Sequence, residues 1–72
     1  MRIEVLAPCL GVAAMRLAEE GAVVEKEAII MQIEVMKFFY DVPAPATGKV
    51  QWLVKLGQLV EMNQVLAYIV VT

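Results

Sequence analysis

The chain repeats itself, and the repeat limits the fold more than any other feature. Pro8-Cys9-Leu10-Gly11 matches Pro45-Ala46-Thr47-Gly48 at an offset of 37, and Gly21-Ala22-Val23-Val24-Glu25 matches Gly57-Gln58-Leu59-Val60-Glu61 at an offset of 36. Ile29 and Ile33 then fall on Val65 and Ile69. Each half of about 36 residues reads Pro-x-x-Gly, strand, Gly, short strand, acidic turn, long strand. Neither half can bury its apolar face alone, so the two must share one core. Residues 1–72 are therefore expected to form a single domain, with no room for a substrate domain beside a cofactor domain.

Short apolar blocks between turn signals define the elements. They are Ile3 to Leu6, Val12 to Leu17, Val23-Val24, Ala28 to Met36, Phe38 to Val42, Val50 to Leu56, Leu59-Val60 and Val65 to Val71. Eight short runs rich in Val and Ile, at short regular spacing, predict an all-β sandwich or barrel. A helix competes only over Leu10 to Glu20, which is Ala-rich with paired glutamates. Its counterpart in the second half, Val50 to Leu56, reads plainly as strand.

Composition removes several functions. The chain has no histidine, and so lacks the usual neutral-pH acid/base, the Ser-His or Cys-His nucleophile pair and most zinc sites. Six Lys and Arg against eight Asp and Glu give a net charge of −2, and the basic residues are scattered. No run of them would release counterions from a phosphate backbone, so nucleic acid is not an expected partner. Mean hydropathy is high, at +0.72. Yet the longest apolar run, Val65 to Val71, is long enough for a strand and far too short for a bilayer. No secretory signal is visible, and the lone Cys9 cannot form an intramolecular disulfide. A cytoplasmic setting, away from membranes, is the expectation.

The halves meet at Glu34-Val35-Met36-Lys37-Phe38-Phe39-Tyr40-Asp41. The chain must reverse there, yet it offers no Gly, Asn-Gly or Pro for a standard hairpin turn. A Met-Lys-Phe turn lifts one lysine out between two large apolar side chains, where turn chemistry prefers small polar residues.

These residues carry a resemblance. Ile33-Glu34-Val35-Met36-Lys37-Phe38 resembles the modification hairpin of the biotinyl/lipoyl carrier-domain family, whose biotin members typically read Glu-Ala-Met-Lys-Met. Gly48, eleven residues after Lys37, and Gly11, Gly21 and Gly57 fall where that family places its turns. The resemblance covers essentially the whole chain. It implies a flattened β-barrel or sandwich of two quasi-symmetric four-stranded sheets, of the biotinyl/lipoyl hammerhead type. It also implies that Lys37 is the attachment site for covalent biotin. Met36 and Phe38 then take the flanks read by biotin protein ligase, and Glu34 takes the upstream acidic position. Val35 and Phe38 depart from the common Ala or Ser and Met, without a change of polarity. The ten-residue interval from Gly11 to Gly21 leaves no room for the protruding insertion of some acetyl-CoA carboxylase carriers, so the chain is similar to the thumbless type.

The resemblance implies a biotin carboxyl carrier, non-catalytic in itself. It would serve biotin carboxylase and carboxyltransferase partners, as a separate subunit or as the excised end of a longer chain. Two alternatives stand beside it. Val42-Pro43-Ala44-Pro45-Ala46-Thr47-Gly48 is similar to the stretch after the lysine in lipoyl domains, which implies lipoate and a 2-oxo acid dehydrogenase. An unmodified β-barrel interaction module is the third reading, and exposed Met and Phe at the hairpin would suit it.

Overall fold

The structure is a computed structural model that describes residues 1–71. Eight strands make up its regular structure: β1 (Arg2–Leu6), β2 (Gly11–Arg16), β3 (Val23–Val24), β4 (Ile29–Val35), β5 (Phe38–Pro43), β6 (Gly48–Trp52), β7 (Leu59–Val60) and β8 (Val65–Val70). No helix forms among the described residues, so Leu10 to Glu20 is strand and loop. The expected run from Val50 to Leu56 ends as a strand at Trp52. Beyond it the amides of Leu53 and Val54 both turn onto the carbonyl of Leu66, at 2.9 and 3.1 Å, and the chain enters the turn that Gly57 closes.

Two antiparallel four-stranded sheets pack face to face, in the orders β1-β8-β6-β3 and β5-β4-β2-β7. Moving every strand four places along the chain converts one order into the other. The fold is thus the sandwich form of the expected architecture, and the two sheets do not close into a barrel. β1 and β5 are free edges, and Pro43 at the end of β5 suits one, because its missing N–H removes no ladder bond.

The repeat extends to single atoms. The amide of Gly21 donates to Val50 O and that of Gly57 to Ala13 O, both at 2.8 Å. Glu27 N bonds Ala44 O and Asn63 N bonds Ala7 O, again both at 2.8 Å. The backbone turns left-handed at Gly21 (φ 81°) and Gly57 (φ 85°), and at Glu27 (φ 75°) and Asn63 (φ 68°). Most of the core pairs off in the same way: Val5 with Val42, Ala7 with Ala44, Ala13 with Val50, Ile30 with Leu66, Met31 with Ala67, and Ile33 with Ile69. No polar or charged side chain is buried among the described residues.

Bulges keep the apolar residues facing inward. Ile30 and Leu66 are equivalent extra residues in β4 and β8, and each sits beside another buried residue, Met31 and Ala67. A third bulge, at Ala14 between Ala13 and Met15, occurs in β2 and has no counterpart in β6. This one residue is the change of offset from 37 to 36. Without a bulge to absorb it, a one-residue slip would turn every later side chain of the strand to the opposite face.

Gly48 marks the tightest approach between strands. A Cβ there would press into the carbonyl oxygen of Val70, closer than real Cβ atoms come, and would lie 2.9 Å from Ile69 Cγ2. Backbone on a central strand cannot give way cheaply. Gly48→Ala is expected to cost about 2–3 kcal/mol, lowering Tm by roughly 10–20 °C in a domain of this size. Thermal unfolding followed by circular dichroism checks this, and an unchanged Tm would mean that β6 and β8 can separate freely.

Candidate functional site: the β4–β5 hairpin

β4 and β5 pair from Ile29↔Pro43 to Val35↔Phe38, which leaves Met36 and Lys37 as a two-residue loop. Both loop residues are left-handed, Met36 at φ 47° and Lys37 at φ 74°. That is the backbone of a type I′ turn, whose twist matches the strands it joins. The expected Met-Lys-Phe turn is therefore one residue shorter, and Phe38 belongs to β5. The turn type is a standard one, but the residues are not, since such turns favour Asn-Gly or Gly-Gly. Each non-glycine residue held at positive φ costs on the order of 1 kcal/mol or more. The ladder on both sides over-determines the turn and holds it in place.

The consequence is display. Lys37 is exposed at the apex, Met36 is 88% exposed and Phe38 71%. Neither flank folds back onto the core. Glu34 is half-buried on the outer face of its sheet, in register with Phe39 on one side and Val12 on the other. The four residues picked out in the sequence thus lie on one hairpin, three at its tip and one on its stem.

Other candidates resolve as structure. Cys9 is a free, half-buried thiol against the core. Trp52 donates from Nε1 to Ala18 O at 2.9 Å, its amide donates to Glu20 Oε1 at 2.9 Å, and the Arg16 guanidinium lies 5.5 Å from its ring. It pins the β2–β3 connection, Leu17 to Ala22, which is short and carries no protruding insertion. Tyr68 lies under Arg2, with the guanidinium 4.3 Å from the ring. Phe39 and Tyr40 are sheet-face aromatics on the free edge and largely exposed. A groove of ≈ 320 Å³ runs between β1 and β5 along Val5, Leu6, Val42 and Pro43, with Glu4 and Glu27 at its rim, and none of the hairpin residues lines it. Among the described residues no three His, Cys, Asp or Glu side chains gather as metal ligands. No helix there is long and apolar enough to cross a membrane.

Such a domain, two quasi-identical sheets that lift one lysine onto a strained two-residue turn, is built for presentation. The chain belongs to the Biotin_lipoyl family, described as biotin-requiring enzyme, whose model matches residues 3–69. Among solved structures it is similar to the urea carboxylase of Kluyveromyces lactis, at 31% identity and a TM-score of 0.89. The match covers 97% of this chain and 6% of that one. It is also similar to a single-chain, multi-domain long-chain acyl-CoA carboxylase, at 26% identity and a TM-score of 0.81, covering 94% of this chain and 7% of that one. The chain thus spans less than a tenth of the length of either carboxylase.

Proposed function

We propose that the chain is a biotin carboxyl carrier, with biotin amide-linked to Lys37. The observation that supports this most directly is the apex itself: a primary amine held out at φ 74° between the exposed side chains of Met36 and Phe38. The site fits the group, since the lysine is solvent-facing on a rigid hairpin and its flexible four-carbon stem extends the arm. When attached, biotin supplies the ring that is carboxylated at one active site and decarboxylated at another. The chain's own part is to expose the amine, tether the arm and be recognised. An exposed lysine amine is almost wholly protonated at pH 7. Biotin protein ligase must therefore supply the activated carboxyl group and accept the proton, and biotin carboxylase and carboxyltransferase must do the chemistry that follows. That enzymology would place the chain in the cytoplasm.

The second reading, a lipoyl carrier, is favoured by Val42 to Gly48. That stretch includes the buried Val42 and Ala44, so its resemblance is one of core and strand exit. The flanks at the tip are what a ligase can touch. Co-expression with each ligase, read by intact mass, separates the readings. The expected result is one biotin per chain and little lipoate; an unmodified chain in both cultures would leave the interaction module standing.

A further inference from the structure

The internal repeat provides its own control for reading the surface. Four residues stand side by side on the outer face of the lysine-bearing sheet: Phe39, Glu34, Val12 and Leu59, each in register with the next. Their equivalents on the other sheet are Arg2, Val70, Lys49 and Val23, in the same register. The backbone is the same in both places, so the fold does not dictate what these positions carry. On the far sheet the row holds two cations. On the lysine-bearing sheet it holds three apolar side chains, all exposed, around a single carboxylate.

Strands lie about 4.8 Å apart, so the row crosses roughly 14 Å of surface. It begins at Phe39, two residues from Lys37, and runs away from the tip to the opposite edge of the sheet at Leu59. That is further from the lysine than the flanks at Met36 and Phe38. Covering this row with a purely apolar surface would strand the Glu34 carboxylate, which is costly unless a cation meets it.

Resting on the carrier reading, we propose that this row is where the biotinylated chain docks on the biotin carboxylase component that loads its arm. The complementary patch is apolar, with one arginine or lysine set against Glu34. Loading is the half-reaction that does not depend on the acceptor, so a fixed docking face serves it whatever accepts the carboxyl group.

Leu59 and Val23 make the test, being equivalent positions that are 64% and 68% exposed. The biotinylated chain is titrated into its biotin carboxylase with ATP and bicarbonate, and ADP release is followed. Leu59→Glu is expected to raise the KM for the carrier on the order of tenfold or more with little change in kcat. Phe39→Lys, on the same row, gives the same shift. Val23→Glu changes neither constant, and all three variants keep the wild-type Tm and circular dichroism. The proposal is overturned if Leu59→Glu and Val23→Glu have equal KM values. It is also overturned if Leu59→Glu instead slows biotinylation of Lys37, which would assign the row to the ligase. A wild-type chain that takes no biotin overturns the carrier reading itself, and this surface with it.

Discussion

Lys37→Arg is expected to emerge from co-expression with biotin ligase at its unmodified mass, while Lys49→Arg and Lys55→Arg are labelled as fully as the wild type. The guanidinium stays protonated at any working pH and is no nucleophile toward an activated carboxyl group. Its charge and its long stem are close to those of lysine. Neither side chain packs against the core at this exposed apex, so stability should hold within about 0.5 kcal/mol. Lys49 and Lys55 are exposed too, but one lies mid-strand in β6 and the other in the turn after it. Lys26 is the closer rival, because it sits in a turn beside left-handed Glu27. Its flanks are Glu25 and Glu27, however, and its amide is held by Thr47 Oγ1 at 3.0 Å. Only Lys37 combines an apex with two exposed apolar neighbours. Labelling that survives in the Lys37→Arg protein would place the acceptor elsewhere and detach the hairpin from the function.

The same features explain what could be read from the sequence. Pro8, Gly11, Gly21 and Glu25 recur as Pro45, Gly48, Gly57 and Glu61 because each serves a backbone position that both halves need. The repeat and the strand count were therefore legible, and Lys37 stood out because its neighbours violate turn chemistry. The shift of offset from 37 to 36 was visible as well, but its meaning as a bulge at Ala14 was not, since a bulge exists only relative to a partner strand. For the same reason the row Phe39-Glu34-Val12-Leu59 was hidden. Its members come from four strands, and only the register of three ladders brings them together. The length of the turn misled for a different reason: Val35 pairs with Phe38 despite the strain this places on Met36 and Lys37. Propensity argued against a two-residue loop, and the pairing of the long strands β4 and β5 overrode it.

That override bears on which cofactor the hairpin receives. The double variant Met36→Asp, Phe38→Ala is expected to lose biotin and gain some lipoate. Structure permits the exchange without damage. Met36 is left-handed at φ 47°, a conformation that aspartate tolerates better than most residues. Phe38 is 71% exposed, so its ring contributes little to the core. The core residues Val42 and Ala44, and the prolines beside them, are untouched. What changes is the surface a ligase meets: two large apolar contacts become one charge and one methyl group. A pocket shaped for the first pair rejects the second, and a polar pocket does the reverse. Each lost contact is worth about 1–3 kcal/mol of discrimination, so the pair should move the preference by roughly a hundredfold or more. The measurement is a competition with both ligases and both cofactors present, read by intact mass. A wild type that takes lipoate and ignores biotin would show that Val42 to Gly48, and not the flanks at the tip, sets the choice.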